Sequence, residues 1–546
     1  MSPPGTSRIP HMELEPLKLT RPLPAMAGMS ILLAAFIGLL LAQPLSAAPA
    51  KKSTGPGTQP GTDLFSDPKV AEFQIDIPAD DVRSLARAPR TNVRGTVRVG
   101  NQLFTNVAIH LKGNGSFRSV DEKASFALKF DEFVPGQDFH GLSKLMLNNS
   151  VQDPTYVAEL LATGLFRDAG LPAARVTHAR LRLNGRDLGL YVLIEGMNKR
   201  FLKQYFHSAK GNLYEGYLQD IDTVLDQDNG DTMDQADVRR LLEACRIPDP
   251  AARFKKISTL LDVDKFVSFV AMEILTGHWD GYANHTNNFR LYHDPGADRM
   301  IFITHGLDWA FRRPNLSIQP PLKSIVGRAV LETEPGATMF RERFASLYTK
   351  IFDVKIITNR LNGALDRIRG AGLDASTLAK IERNAAILRD RIVLRGQRVA
   401  EQLAGIEPAP PKFDDHNSAP LTDWRDESDR GEPSMDQPEH DGRATLHIRT
   451  EGIRSRASWR TQVYLVRGRY RVEAMAAAQG LIGGSAGLRI SGGRRTEGVS
   501  GSSPWRQLGH NFEVIDAGLD VEIVCDFYGT TGEVWFDKNS FRLRRL

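Results

Sequence analysis

Cysteine is scarce: Cys245 and Cys525 are the only two in 546 residues. That excludes a disulfide framework, and both read as free, buried thiols. Cys525 falls on the apolar side of the alternating run Val521–Phe527, where a thiol behaves as a small hydrophobe. Charge of one sign is also in short supply. The formal net charge is +5 and no dense Lys/Arg block occurs, so a nucleic-acid partner has no electrostatic footprint and none is expected. Long apolar runs are missing as well. The longest, Ile31–Ala42, falls short of the roughly 20 residues a membrane-spanning helix needs. No internal repeat is found. What remains is ordinary globular material, 41% hydrophobic and 25% charged, in a chain long enough for about two to three domains.

Basic residues at Arg8, Lys18 and Arg21, the apolar run, Pro44 and the small residues Ser46–Ala50 form the pattern of a signal peptide over 1–50. The protein is therefore expected to be exported, to the periplasm, the cell envelope or the medium, with no membrane span once the leader is cleaved. Residues 51–63, rich in Gly, Pro, Ser and Thr, read as a flexible tether. From Phe73 the alternation of Phe73, Ile75, Ile77, then Val97, Val99, and Val107, Ile109, Leu111 predicts a half-buried sheet. Asp153-Pro154 opens a helical pattern, with Asp153 as N-cap, that stops at Gly170; Asn184-Gly185 marks a hairpin turn between two further strands. After Phe201 helical spacing dominates, over Val263–Leu275, Phe340–Ile357 and Leu378–Leu403, with a strand pair at Phe289–Tyr292 and Met300–Ile303. A stretch rich in Pro, Asp and Ser, from Glu407 to about Asp441, precedes a strand-rich tail. The organisation expected is 64–405, a linker over 406–422 and a module over 423–546.

Three segments carry chemistry. Lys112-Gly113-Asn114-Gly115-Ser116 lies between strands, where glycines let backbone N–H groups approach phosphate oxygens; alone it is also an ordinary turn. In Lys123–Phe130 an even spacing puts Lys123 and Lys129 on one strand face, and Glu159 on the following helix is a candidate carboxylate partner. Trp279-Asp280 through Asn287-Asn288 follows a long apolar helix, and a strand later Asp308 ends Thr304–Asp308. An acid to accept a proton, then an amide and a second acid for a divalent cation, is the order phosphoryl transfer uses. The aspartates Asp220, Asp222, Asp226, Asp228 and Asp231 around Asn229-Gly230 do not fit an EF-hand and are read as a solvated acidic loop.

Taken together, Leu111–Ser116, Lys123–Phe130, Leu147-Asn148-Asn149, Asp153-Pro154, Phe166–Gly170, Leu183-Asn184-Gly185, Gly189–Glu195 and Trp279–Asn288 resemble the CotH family, over roughly Leu64 to Gly405. The tail, with Gly468–Ala474 and Gly532–Asp537, resembles carbohydrate-binding jelly-roll modules. These resemblances imply an α+β, divergent two-lobed protein-kinase-like fold followed by an all-β jelly-roll sandwich. They imply an atypical kinase that moves the γ-phosphoryl group of ATP, with Mg²⁺ or Mn²⁺, to a Ser or Thr hydroxyl of an extracytoplasmic protein acceptor. Asp280 would be the catalytic acid, Asn288 and Asp308 metal ligands, and Lys129 or Lys123 the phosphate lysine paired with Glu159. Glu195 would sit at the nucleotide hinge, and Gly113, Gly115 and Ser116 would line the ATP site. The tail would contact a glycan through Trp459, Trp505 or Trp535. One departure favours an alternative, a catalytically weak cell-envelope or polysaccharide-binding adaptor: Gly306 stands where the family usually carries a further acid.

Overall fold

The alternation that begins at Phe73 builds a closed barrel of strands β1 (Ala71–Asp76), β2 (Val93–Val99), β3 (Gln102–Lys112), β4 (Ser125–Lys129), β5 (Lys144–Asn148), β6 (Val176–Leu183) and β7 (Arg186–Glu195). Their order is β1-β2-β3-β4-β5-β7-β6, closed by a parallel β1–β6 pairing. This computed structural model describes residues 59–230, 234–431, 433–495 and 497–546, and Gln59–Leu546 forms one unit. The expected leader and most of the tether lie outside the described residues; Thr62–Ser66, at the tether's end, is already helical.

Period-two alternation sorts the barrel strands into two faces. Ile109, Leu111, Phe126, Leu128, Leu145 and Leu147 fill the interior. The residues between them, His110, Lys112, Ala127, Lys129, Lys144 and Met146, face outward, and Lys129 pairs in register with Lys144. The hairpin turn between β6 and β7 has φ of 49° at Asn184 and 78° at Gly185, the doubly left-handed geometry that Asn-Gly favours.

The helix after β5 runs Ala158–Asp168, four positions later than the pattern from Pro154 suggests. Tyr156 adopts φ 61°, which no helix continues through. Val157, not Asp153, is its N-cap residue, although the Asp153 carboxyl still accepts from the Ala158 N–H at 3.0 Å. The helical block includes Val263–Leu275, as expected, and Ala375–Leu403. The expected helix Phe340–Ile357 is instead two, Glu334–Lys350 and Val354–Arg369, because Asp353 stops the chain and caps the second through the N–H groups of Lys355 and Ile356. A small sheet in the order β11-β10-β8-β9 joins β8 (Leu213–Gly216), β9 (Asp226–Asn229), β10 (Phe289–Asp294) and β11 (Arg299–Thr304). Leu213, Tyr292, Ile301 and Ile303 of this sheet pack on Ala127 and Met146 of the barrel's outer face. The small sheet and the barrel therefore share one apolar contact.

The tail is a β-sandwich built largely from two long bent strands, Ser455–Ile490 and Gly498–Gly529. It starts within the Pro/Asp/Ser-rich stretch, since Ser418–Pro420 already pairs with the last strand. Trp459 is a core residue whose indole donates to the His447 carbonyl. Trp535 is buried too, stacked on His440 at 3.9 Å and on His447 at 5.1 Å between centroids. Of the three indoles proposed for a glycan, Trp505 alone keeps substantial exposure. Both cysteines are free and buried. Burial pushes the Cys245 thiol up to about 12, out of the reactive range.

The sandwich has its own apolar core, drawn entirely from Leu421 to Leu543, so it should fold without the rest. Expressing Lys412–Leu546 is expected to give a soluble domain with a β-type circular dichroism spectrum and cooperative melting. An unfolded product would show that the contacts to the helical block are required.

Candidate active site

The apolar helix Val263–Leu275 delivers the chain to the loop that carries Asp280. Within that helix, Glu273 has no exposed surface, and sequence reasoning passed it over as one polar residue in an apolar run. Its carboxyl accepts from the N–H groups of Tyr282 at 2.8 Å and Ala283 at 2.9 Å. A Cβ on Gly281 would sit 2.3 Å from Glu273 Oε1, so glycine is needed there for the approach. Burial pushes the Glu273 carboxyl up to about 8 despite these two bonds. The loop is strained as well. Thr286 and Asn288 adopt φ of 49° and 52°, a region a β-branched residue enters only under constraint.

Asn288 is held by Asp280. Its Nδ2 donates to Asp280 Oδ2 and to the Asp280 carbonyl, both at 3.0 Å, which leaves Oδ1 directed at Gly306. Gly306 has φ 60°, and a Cβ there would lie 2.6 Å from Asn288 Oδ1. The glycine where an acid was expected thus has a steric reason: Asn288 occupies the space. His278 ties the two loops together, its Nε2 lying 3.2 Å from the Gly306 carbonyl. Burial raises the Asp280 carboxyl, while bonds from Asn287 and Asn288 and the nearby Arg313 charge pull it down.

Asp308, two residues beyond Gly306, makes no hydrogen bond or ion pair among the described residues. Burial, then the neighbouring Asp153 and Asp280 charges, push its carboxyl up to about 6, against the pull of Arg312 and Lys112. Glu159, buried on the helix Ala158–Asp168, feels the Asp308 charge. Burial and the Asp308 charge raise it to about 8, while Lys112 and a bond from Asn148 act the other way.

The lysines do not fall as the spacing suggested. Lys123 precedes β4 rather than lying in it, so the shared-face argument fails; its ammonium donates to the Tyr156 hydroxyl at 2.8 Å and lies over the Tyr156 and Tyr191 rings. Lys129 pairs with Glu132 at 3.6 Å. Neither forms an ion pair with Glu159. The lysine whose charge Glu159 and Asp308 both feel is Lys112, half-buried at the end of β3, its own pKa lowered chiefly by burial. No acceptor pairs with its ammonium among the described residues. The adjacent glycine loop is tethered, with Arg90 donating to the Leu111 carbonyl at 2.9 Å and to Asn114 Oδ1 at 3.0 Å. Asn149 Nδ2 meets the Ser116 carbonyl at 3.0 Å. Gly113 has φ 92°, and Gly115 is exposed at the loop's tip.

Glu195 is fully buried and its carboxylate is committed, to Arg175 at 2.6 and 2.9 Å and to Gln204 at 2.6 Å. Any ligand contact at this position is left to the backbone. The acidic cluster is solvated in part: Asp222, Asp226 and Asp228 are exposed, as a solvated acidic loop would have them, but Asp220 is not. Asp220 is buried, accepting from the Tyr282 hydroxyl at 2.8 Å and the Ile325 N–H at 2.7 Å. Asp228 and Glu215 both pair with the buried Arg290, the latter at 2.5 Å. Asp231 lies outside the described residues.

Among the described residues no three His, Cys, Asp or Glu side chains converge as a metal cage. A hard cation shared with phosphate oxygens needs only one or two protein oxygens. The carboxylate of Asp308, without a donor and crowded by other acids, and the free Oδ1 of Asn288 have that chemistry, so the residues present fit such an ion.

Glu273 yields a prediction with a definite sign. Its carboxyl titrates near 8 in the folded chain and near 4.5 unfolded, so the folded state binds the extra proton and stability falls as pH rises between those values. Glu273→Gln mimics the protonated form. Its melting midpoint relative to wild type should therefore rise from pH 5 to pH 9, by roughly 2 °C or more. A difference independent of pH would contradict the assignment.

A family model described as CotH kinase protein matches residues 109–399. Among curated proteins, the chain is 24% identical over 281 residues to Invasin CotH2 of Rhizopus delemar, covering 46% of either chain. It is 22% identical over 329 residues to inner spore coat protein H of Bacillus subtilis, covering 54% of this chain and 87% of that one. The chain thus spans about half the length of the invasin it matches, 46%. Among solved structures, the Helicobacter pylori proinflammatory kinase CtkA aligns over 57% of this chain and 93% of its own, with 7% identity and a TM-score of 0.25. The carbohydrate-binding module TmCBM61, solved with β-1,4-galactotriose, aligns over 23% of this chain and 91% of its own, with 17% identity and a TM-score of 0.19. With more than half of its 546 residues matched by the family model, the chain belongs to the CotH family.

Proposed function

We propose that this chain is an exported kinase that transfers the γ-phosphoryl group of ATP to a Ser or Thr hydroxyl of an extracytoplasmic protein acceptor. One observation carries the reading. An ammonium, Lys112, and a carboxylate, Asp308, lie near enough to act on each other's charge, yet neither has a partner among the described residues. A nucleotide triphosphate with its divalent cation supplies what each lacks, phosphate oxygens for the one and a cation for the other.

The roles follow from position. Lys112 holds the phosphates, in place of the engaged Lys123 and Lys129, and Glu159 opposes its charge. The tethered loop with Gly113, Gly115 and Ser116 offers backbone N–H groups to the same phosphates. Glu195 marks the hinge at which the barrel meets the helical block. Asp308 and Asn288 would hold Mg²⁺ or Mn²⁺, which when bound neutralises charge on the transferred group. Asp280, steadied by Asn288, takes the proton from the acceptor hydroxyl as its oxygen bonds to the γ-phosphorus and the bond to the bridging oxygen of ADP breaks. The half-exposed Trp505 of the sandwich is retained as the indole for a glycan. Gly306 supports a second reading, a weakly catalytic envelope adaptor, because Asn288 fills the space an additional metal-binding acid would need.

The test is transfer of labelled phosphate by the purified chain with Mg²⁺ or Mn²⁺. Asp280→Asn is expected to bind ATP as wild type does and to lose about 10²–10⁴-fold in turnover. Asp308→Asn should lose metal-dependent ATP binding itself. Wild type that binds ATP and transfers to no acceptor, itself included, would favour the adaptor. Equal transfer by both variants and wild type would refute the site.

A further inference from the structure

The sandwich is joined to the segment that follows Asp308. Asp520 accepts from the backbone N–H of Asn315 at 3.0 Å and from its Nδ2 at 2.7 Å, and Gln462 donates to the Arg312 carbonyl at 2.8 Å. The join leaves a cleft of about 240 Å³. One wall is Trp279 and Trp309, the neighbours in sequence of Asp280 and Asp308, with Arg312 and Arg313; the other belongs to the sandwich and includes Ser491 and Phe512. The two indoles stack at 5.2 Å between centroids, and Arg313 lies 3.8 Å above Trp279.

Two carboxylates on the sandwich side are already engaged, while Glu513 stays exposed at the edge of the cleft. Asp520 has Asn315, and Glu522 pairs with Arg425 and, at 3.1 Å, with Arg460. Arg313 is different. Half-buried in the wall, it has a ring beneath it and feels the charges of Asp520, Glu522 and Asp280, but no acceptor among the described residues fills its fork. The Trp309 indole N–H is buried without a partner as well. A guanidinium with its fork unfilled, beside the proposed proton acceptor, suits a planar anion bound edge-on.

We propose that this cleft, walled on one side by the sandwich, is the acceptor site, and that Arg313 binds a carboxylate side chain next to the acceptor hydroxyl. The acceptor class is then an acidic Ser- or Thr-bearing peptide. This inference rests on the kinase reading for its purpose but on the cleft alone for its geometry. The sandwich becomes a specificity element, since the catalytic block alone would present an open ledge where the full chain presents a slot.

The test is binding, independent of transfer. Two fluorescein-labelled serine peptides, one with Glu and one with Lys beside the serine, are titrated with the full chain by fluorescence anisotropy. The Glu peptide is expected to bind about tenfold more tightly. Arg313→Ala should erase that preference, and Arg313→Lys should restore part of it. Ser491→Trp, at an exposed position of the sandwich wall, should fill the slot and abolish binding of both peptides without lowering the melting midpoint. Equal binding of the two peptides, no binding of either, or unchanged binding by Ser491→Trp overturns the inference. So does displacement of the Glu peptide by a neutral oligosaccharide, which would assign the slot to a glycan. If phosphate is transferred while the peptides bind alike, the kinase reading stands and the acceptor site fails. If the preference holds and no phosphate is transferred, the cleft stands and the kinase reading fails.

Discussion

Acids that repel one another are held close together in the folded chain. Asp153, Glu159, Asp280 and Asp308 act on one another there, and the charges of Lys112, Arg312 and Arg313 oppose them only in part. Burial and mutual repulsion leave Glu159 and Asp308 reluctant to ionise, a destabilising arrangement that a folded chain keeps only where its scaffold is stiff. The proposed ligand, bringing a cation to Asp308 and phosphate oxygens to Lys112, would relieve that stress. The same repulsion that weakens the free protein therefore favours the bound one.

The scaffold is stiff because two other buried ionisable groups are fully used. Glu273 fixes the loop of Asp280 through two backbone N–H groups. Arg395, with no exposed surface, donates to the carbonyls of Ile274 and Leu275, the last turn before that loop, and to those of Pro314 and Leu316 beyond Asp308. A buried guanidinium costs several kcal/mol unless its donors are met, and here each bond also joins the two functional loops. From the far side, the sandwich holds the same segment through Asp520 and Gln462. The loops of Asp280 and Asp308 are thus gripped from within by the helical block and from without by the tail.

Much of the fold was legible in local pattern. The barrel strands, the Asn184-Gly185 hairpin, the helix Val263–Leu275 and the β10–β11 pair follow from periodicity and turn chemistry, which act between near neighbours. So does the order of Asp280, Asn288 and Asp308, which lie on one continuous stretch. Pairings across the chain were not legible. Lys112 reads as the flank of a glycine turn because nothing in its neighbourhood shows that its charge acts on Glu159. Lys123 and Lys129 drew attention by spacing, yet the strand is too short to include Lys123, and Glu132 takes Lys129. Glu273 and Arg395 look like stray charges on helices until their backbone partners, 9 or 10 residues away for the one and 79 to 121 for the other, are in view. Gly306 read as a missing ligand, and only the approach of Asn288 gives it a steric cause.

The central claim is that Lys112, rather than Lys123 or Lys129, holds the phosphates opposite Asp308. Calorimetric titration of ATP with Mg²⁺ or Mn²⁺ into wild type and into Lys112→Ala, Lys123→Ala and Lys129→Ala tests it most directly. The account predicts that Lys112→Ala loses about tenfold or more in affinity while the other two bind within a small factor of wild type. Unchanged binding by Lys112→Ala, with loss in either of the others, would contradict it.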